Sequence, residues 1–400
     1  MKLLNVIFML FFIPAMGIAQ DGDPYLKGLA AMNKGDLPAA IKEFTGALNQ
    51  AGRKTDIYIK RATCYYQQAA YRQAINDLKR LEKTQKYPGT YLMAKAYAGM
   101  GMNDSAIYYL QIHLQSPDKN PESSIKLDPA FAELEKTRDW INLWNKDWYN
   151  EFELLMAELN YLVKSEEYQD ALDLADLSMD KYGYHHELHG LRARIFIQLG
   201  SNAAAISALS EAITKSNQTV SEYYILRSRA YRASGKPQKA LEDLNRAIML
   251  ERDNFDLVME RCILRNELGY YADALKDVSY YLQYFPDDPA GLFQKGNIYS
   301  GQGNFLKALE WYNKTLKVNA ERPEYFLARG QAYLNTKTYT FALRDFSMAL
   351  DLDPRNKEAY LYKGLARRYM NDPDGACHDW NKAREYGSLK ASEYLEKYCH

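Results

Sequence analysis

Apolar side chains recur at steps of three and four residues along most of the chain, and short polar turns divide this pattern into stretches. Such spacing places the apolar residues on one face of an α-helix. The stretches come in pairs, and the segment 322–354 overlays the segment 356–387 at an offset of 34 residues. The pattern therefore predicts an all-α protein made of repeated helix pairs.

The repeat can be followed through ten copies, which begin at residues 21, 55, 87, 152, 186, 221, 255, 289, 323 and 357. The twentieth position is alanine in every copy: Ala40, Ala74, Ala106, Ala171, Ala205, Ala240, Ala274, Ala308, Ala342 and Ala376. The eighth position is small in nine copies, and Leu159 is the exception. Small residues at two fixed positions indicate two helices that approach closely, with larger apolar side chains filling the space around the contact.

This pattern resembles the tetratricopeptide repeat family over nearly the whole chain. The ninth copy carries the family's residues at the eighth, eleventh, twentieth, twenty-fourth, twenty-seventh and last positions: Gly330, Tyr333, Ala342, Phe346, Ala349 and Pro354. The departures from the aromatic eleventh position include Leu162, Arg265 and Arg367. The resemblance implies an α-solenoid of about ten helix-turn-helix units in a right-handed superhelix, in which each unit packs against its neighbours.

The spacing of the copies divides the chain into segments. Residues 1–19 resemble a secretory signal, with one lysine, an apolar run and small residues at Gly17 and Ala19. An uncleaved membrane anchor is the alternative, although the apolar run is short for a span. We then expect a three-repeat block at 20–120, a helical insert at 121–151, a seven-repeat block at 152–387 and a capping helix at 388–400. The expected location is outside the cytoplasm, in a periplasm or at the cell surface, with no transmembrane segment after signal cleavage.

The insert contains a tryptophan stripe, formed by Trp140, Trp144 and Trp148, and Phe152 follows it at the same spacing. We expect one long helix from about Asp139 to Lys164, because no helix breaker interrupts the pattern. The stripe then continues the face that the fourth repeat uses for its core. A junction between the two blocks is the favoured interpretation, and an aromatic patch facing a partner is the alternative.

The family resemblance also implies where a partner binds. In this family the first helix of each unit lines a concave groove, chiefly through its second, fifth, ninth and twelfth positions. Carried over to this chain, these positions combine an apolar row with amide and guanidinium groups, which suits a polypeptide segment. The candidate groove residues are Met156, Asn160, Arg194, Ile225, Arg229, Arg232, Met259, Phe293, Asn297, Leu327, Gln331 and Leu361. The alternative is that the apolar ones are packing contacts and the charges form a solvated face.

Composition and motifs give no positive sign of catalysis. Lysine plus arginine equals aspartate plus glutamate at 51 each, which offers no electrostatic reason to expect nucleic acid. We found no nucleophile triad, paired-carboxylate site or redox motif. His185, His186 and His189 have spacings that could hold a metal ion, but packing within the repeat also accounts for them. We therefore expect no enzyme activity, no cofactor and no metal.

Four cysteines remain. In an oxidising compartment, a disulfide between Cys377 and Cys399 would fasten the capping helix to the last repeat. The ending of the chain also resembles the terminal form of exported bacterial repeat proteins. Cys64 and Cys262 are expected to be buried thiols.

These observations predict a non-catalytic scaffold that binds a protein or peptide in the concave groove. A structural subunit of an envelope or secretion assembly is one alternative, and a metal- or glycan-handling accessory protein is another.

Overall fold

A computed structural model describes residues 22–49, 53–83 and 87–399, so the predicted signal segment lies outside the described residues. The described part of the chain contains helices and no β-strand. The α-helices are α1 Pro24–Asn33, α2 Leu37–Ala47, α3 Lys54–Gln67, α4 Tyr71–Glu82, α5 Thr90–Gly99, α6 Asn103–Leu114, α7 Glu122–Lys126, α8 Arg138–Trp144, α9 Glu151–Lys164, α10 Tyr168–Leu177, α11 Met179–Tyr182, α12 His186–Gln198, α13 Asn202–Lys215, α14 Ser221–Ala233, α15 Pro237–Leu250, α16 Phe255–Glu267, α17 Tyr271–Tyr284, α18 Pro289–Gly301, α19 Phe305–Val318, α20 Pro323–Asn335, α21 Tyr339–Leu352, α22 Lys357–Tyr369, α23 Pro373–Glu385 and α24 Leu389–Tyr398.

The helices form ten antiparallel pairs, as the sequence predicts. The first and second helices of the pairs are α1 and α2, α3 and α4, α5 and α6, α9 and α10, and then each pair from α12 and α13 to α22 and α23. Consecutive helices along the chain pack against each other, which produces a solenoid. The turns inside several pairs use a left-handed residue, such as Gly303 with φ of 74°, because glycine adopts this conformation without a steric cost.

The residues at the eighth and twenty-fourth positions of a repeat are complementary in size, so that a small residue at one accompanies a large residue at the other. Where the twenty-fourth is aromatic, the eighth is glycine: a Cβ added to Gly330 would lie 2.6 Å from the ring of Phe346. The same relation holds for Gly28 with Phe44, Gly296 with Tyr312, and Gly364 with Trp380. In the fourth repeat the sizes are exchanged, since the eighth residue is Leu159 and the twenty-fourth is Ala175, both fully buried. The large Leu159 at the eighth position is therefore compensated by the small Ala175 at the twenty-fourth.

A buried ion pair joins the two helices of five repeats. A cation at the seventh position faces an aspartate 16 residues later, in the pairs Arg61–Asp77, Arg227–Asp243, Arg261–Asp277, Arg329–Asp345 and Lys363–Asp379. In four of them Nη1 of the arginine also donates to a side chain 16 or 17 residues earlier, in the preceding repeat: Arg61 to Thr45, Arg227 to Ser210, Arg261 to Asn245, and Arg329 to Asn313. The cation thus connects adjacent repeats as well as the helices of one repeat.

Five repeats lack this aspartate, among them the fifth and the eighth. In the eighth repeat Trp311 stands there, and Nζ of Lys295 lies 4.2 Å from the centre of its indole ring. In the fifth repeat Ala208 stands there, and Arg192 bonds instead to Asp176 of the preceding repeat, at 2.7 Å. The aspartate is therefore part of the pattern in only some repeats.

The expectation of one continuous helix through the insert is wrong. The helix α8 ends at Trp144, and α9 begins only at Glu151. Asn150 caps α9: its side chain accepts from the backbone of Glu153, and the Glu153 side chain accepts from the backbone of Asn150. This reciprocal cap fixes a new helix start, which the apolar spacing alone does not reveal.

The tryptophan stripe packs with the core of the three-repeat block. Trp140 is buried and its ring contacts Phe131 at 5.9 Å between centroids, while Trp144 and Trp148 are partly buried. Nε1 of Trp148 donates to the carbonyl of Leu143 at 2.8 Å, which closes the turn between α8 and α9. These contacts favour a structural role at the end of the three-repeat block.

The first repeat docks on the seventh. The hydroxyl of Tyr25 donates to Asp253, 228 residues away, at 3.0 Å, and Nζ of Lys34 donates to the carbonyl of Tyr284 at 3.2 Å. Phe255, Tyr284 and Phe285 share one apolar cluster with α1, α2 and α3. Two repeats that are far apart in the sequence are therefore in contact. A repeat pattern, in which each unit packs against its neighbours, does not predict this contact.

The opposite end is closed by α24. Cys377 of α23 and Cys399 form a disulfide with a Cα–Cα distance of 5.8 Å. Trp380 is fully buried between α22 and α24, and its Nε1 donates to the carbonyl of Leu361 at 3.1 Å. Cys64 and Cys262 are buried free thiols, and burial raises the pKa of Cys262 to about 12.

Candidate protein-binding groove

The candidate groove residues all lie on first helices of the seven-repeat block. They are distributed over α9, α12, α14, α16, α18, α20 and α22, and they fall at equivalent positions of successive repeats. Stacking of repeats therefore aligns them in a row along one side of the array.

The three candidate arginines form a ladder of ion pairs between neighbouring first helices. Nη2 of Arg194 in α12 lies 2.5 Å from Glu222 in α14. Arg229 in α14 bonds to both carboxylate oxygens of Glu260 in α16, at 3.2 and 3.0 Å.

The third rung joins Arg232 of α14 to Glu267 of α16. The arginine side chains of the ladder remain between 42% and 58% exposed. The hydrogen bonds that the Arg229 guanidinium donates to Glu260 raise the pKa of this guanidinium, which stays charged. The ladder thus offers paired but accessible charges.

Phe293 is the aromatic centre of the row. It is half-buried, and its ring lies 4.7 Å from that of Tyr325 and 5.7 Å from that of Tyr312, measured between centroids. One turn later on α18, Oδ1 of Asn297 accepts from the Tyr312 hydroxyl at 2.9 Å. Part of the Phe293 ring is thus fixed by packing, and the rest is open to solvent.

The apolar row is less open than the sequence suggests. Met156, Ile225, Met259 and Leu327 are partly buried and pack against the cores of their own repeats. Asn160 is exposed, and its Nδ2 donates to the carbonyl of Met156 at 2.6 Å. Gln331 is half-buried on α20.

The structure corrects the expectation that Leu361 lines the groove. It is only 5% exposed and packs with Ala376 and Trp380 in the core of the last repeat. The fifth position is buried here because α23 and the indole of Trp380 cover it. Leu361 therefore contributes to stability and is not available to a partner.

Each of the three neighbouring histidines has a different contact partner. His185 stacks on Phe152 at 3.7 Å between centroids, and Nδ1 of His186 lies 2.8 Å from the hydroxyl of Tyr223. Nε2 of His189 lies 2.8 Å from the carbonyl oxygen of Gly183. Within the ranges described above, no three histidine, cysteine or acidic residues converge as a metal site. The same ranges contain no helix that is both long and apolar enough to cross a membrane.

Comparison with known proteins identifies the repeat. The sequence profile of the family described as "Tetratricopeptide repeat" matches residues 191–256, 263–325 and 293–357. The matched part of the chain, within residues 191–357, is similar to tetratricopeptide repeats. A solved tetratricopeptide repeat protein from Parabacteroides merdae aligns with a TM-score of 0.52 at 17% identity, covering 62% of this chain and 99% of that one. This likeness supports the solenoid fold.

Curated relatives match this chain over very different shares of its length. DnaJ homolog subfamily C member 3 from Gallus gallus is 22% identical over 397 residues, covering 93% of this chain and 75% of the relative. Hsc70-interacting protein 1 from Drosophila melanogaster is 32% identical over 83 residues, covering 21% of this chain and 22% of the relative. The matching family model describes a repeat, and the name of the second relative describes an interaction of that relative with another protein.

Proposed function

We propose that this protein is a non-catalytic scaffold that binds a polypeptide in the groove lined by α9, α12, α14, α16, α18, α20 and α22. The observation that carries the proposal is the half-buried ring of Phe293 on α18, together with the accessible pair of Arg229 and Glu260 that joins α14 to α16 on the same row of first helices. An aromatic anchor next to bidentate charged groups is typical of energetic centres in protein interfaces. The names of the relatives, which include an Hsc70-interacting protein, describe those proteins and support protein binding as the class of function.

The charge pattern favours a partner segment with both apolar and charged side chains. Each groove arginine already has a glutamate from the next repeat, so the row has little net charge. A partner would therefore exchange these pairs for its own acidic and basic groups, which gives orientation and selectivity. A free C-terminus is a poor candidate, because the lysines and asparagines that clamp a carboxylate in this family are not found together in this sequence.

The location we propose is outside the cytoplasm. The Cys377–Cys399 disulfide supports this, because disulfides persist in oxidising compartments and are rare in reducing ones. The apolar start of the chain, which resembles a secretory signal, gives independent support.

The experiment is a pull-down from the native envelope fraction, with full-length protein and four single variants as baits. Phe293→Ala and Arg229→Ala alter the groove, whereas Leu306→Ala on α19 and Arg344→Ala on α21 are matched controls on exposed positions of second helices. We expect a partner that wild type and both controls recover and both groove variants lose. Its affinity for each groove variant should be weaker by about 1–3 kcal/mol, measured by calorimetry.

Circular dichroism melting curves separate loss of binding from loss of folding, since Phe293 also packs against Tyr312 and Tyr325. Equal recovery of the same partners by all five baits would exclude the groove. That result would favour a structural subunit that makes its contacts through other surfaces.

A further inference from the structure

One first helix of the array, α9, lacks the cover that the others have. In eight repeats the second helix of the preceding repeat packs against the first helix, from α2 on α3 to α21 on α22. The insert precedes α9 instead, and Tyr161, the tenth residue of the fourth repeat, is 66% exposed. In the other nine repeats the tenth residue is at most 4% exposed.

The third residue of the fourth repeat is uncovered in the same way. Leu154 is 54% exposed, whereas its equivalent is buried in seven other repeats. Leu154 and Tyr161 are seven residues apart, so they lie two turns apart on one face of α9. No helix of the described part of the chain covers this face, which is therefore an open repeat end inside the chain.

The seventh position lies between these two apolar residues, and its charge is reversed in the fourth repeat. In six repeats a cation at this position donates a hydrogen bond to the twenty-fifth residue of the helix that covers it. The fourth repeat has Glu158 there, which is exposed and forms no ion pair with a described residue. Its neighbours Glu151 and Glu153 are already paired, with Lys181 and Lys119. A carboxylate only accepts, so a helix that covers α9 must supply a donor.

The seventh repeat shows what a covering helix presents to such a face. Its third and tenth residues, Leu257 and Leu264, are buried in one apolar cluster, and Nη1 of Arg261 between them donates to Asn245 of α15 at 3.0 Å. Two apolar side chains of α15 flank that asparagine and pack on the same cluster: Leu241 and Ile248. The covering helix thus presents an apolar, a polar and a second apolar side chain at spacings of four and three residues.

The first repeat shows that this chain covers another open end with a helix. No described repeat precedes α1, yet Ala30 at its tenth position is only 4% exposed. Ala30 shares an apolar cluster with Tyr284 at the end of α17 and with Phe285. Because α17 is the second helix of the seventh repeat, a second helix from a distant repeat replaces the missing neighbour.

We propose that the exposed face of α9 docks an α-helix of a partner protein, in which a lysine or arginine has one apolar residue four positions before it and another three positions after it. The cation pairs with Glu158, and the apolar side chains pack on Leu154 and Tyr161. A second copy of this chain is a poorer occupant, since a twofold contact through this face would bring two Glu158 carboxylates together. The site is separate from the groove residues and does not depend on the proposed groove function.

The test is a fluorescence anisotropy titration of labelled helical peptides with the full chain. The probe has the sequence of α15, Pro237–Leu250, with Asn245→Lys, and a hydrocarbon staple between positions 242 and 246 keeps the short peptide helical. The matched control peptide carries Asn245→Glu at the same position. We expect saturable binding of the lysine peptide and binding at least about tenfold weaker for the glutamate peptide.

Glu158→Lys is the decisive variant, because it should reverse the preference and bind the glutamate peptide more tightly. Tyr161→Ala should weaken binding of the lysine peptide, and Leu306→Ala, at an exposed position of α19, should leave it unchanged. Melting curves check that all three variants are folded. An unchanged preference in Glu158→Lys, or no saturable binding of either peptide, would overturn the proposal. Sedimentation that shows a dimer which Tyr161→Ala dissociates would also overturn it, in favour of a second copy.

Discussion

Arg227 and Asp243 face each other across α14 and α15, with Nε and Nη2 of the guanidinium on separate carboxylate oxygens, each at 2.8 Å. The carboxylate is 5% exposed, and the same guanidinium reaches Ser210 of the preceding repeat at 2.9 Å. One side chain thus links three helices in two repeats. Substitution of this pair measures how much such links contribute to the free energy of unfolding.

Asp243→Ala should destabilise the array by about 3 kcal/mol, because it leaves the Arg227 charge half-buried without its partner. The double variant Arg227→Met with Asp243→Leu should recover most of that loss, since it removes both charges together. Urea unfolding followed by circular dichroism measures the difference. A loss of only a few tenths of a kcal/mol in the single variant would contradict the importance of the pair.

The match between the eighth and twenty-fourth positions predicts a compensating pair of substitutions. Gly330→Ala places a Cβ 2.6 Å from the Phe346 ring and should cost about 1–3 kcal/mol through overpacking. Combining it with Phe346→Leu reproduces the alanine–leucine pair of the second repeat, Ala62 with Leu78, and should restore much of the stability. A double-mutant cycle on the urea midpoints checks this. Additive losses would show that the two positions are independent.

The last repeat should respond to pH differently from the others. Asp379 is 1% exposed, its nearest cationic nitrogens are 3.3 Å away on Arg367 and 3.9 Å away on Lys363, and burial raises its pKa above the usual range. A raised folded-state pKa gives stability that is present below the unfolded pKa and is lost as pH rises through the folded pKa. The unfolding free energy of this repeat should therefore fall as pH rises through that window.

Lys363→Arg should flatten this pH dependence, because a guanidinium can form the two-oxygen contact that Arg227 makes with Asp243. Hydrogen exchange of α22 and α23 at several pH values measures the local stability directly. An unchanged slope in the variant would show that the Lys363–Asp379 distance does not control the titration.

The contact between the first and seventh repeats predicts a change of shape on mutation. Tyr25→Ala removes a hydrogen bond to Asp253 and ring area, and Phe285→Ala removes the partner surface. The double variant should weaken the docking enough to release the first repeat, which small-angle X-ray scattering would record as a larger radius of gyration. Leu306→Ala, on an exposed position far from this cluster, is the control. No change in the radius would mean that other contacts suffice to hold the first repeat.

The periodic part of the fold follows from the sequence because each repeat packs against its neighbours through fixed positions. The ten alanines at the twentieth position are all fully buried, as their small size suggested. The ion pairs were also present in the pattern: comparison of the seventh and twenty-third positions across copies would have found them. The break before α9 had a local signal too, since Asn150 and Glu153 have the spacing of a reciprocal helix cap.

The non-periodic features could not be predicted in the same way. Tyr281 stands at a position where Ala349 is found in the ninth repeat, and this departure hints at an unusual surface on α17, but nothing in the sequence says that α1 covers it. The burial of Leu361 depends on the indole of Trp380 in the next helix. The groove itself, as a binding surface for a particular partner, remains a proposal that rests on exposed side chains and the behaviour of the family.

The return of the first repeat to the seventh also bears on how the chain folds. Most contacts in a solenoid join residues close in sequence, so its repeats can form early and independently. The hydrogen bond from Tyr25 to Asp253 instead closes a loop of 228 residues. The conformational entropy of this loop must be lost before the contact can stabilise the fold. The intervening repeats shorten that search because each forms its own local contacts first. Folding should thus proceed outward from local pairs, with the two distant repeats meeting last.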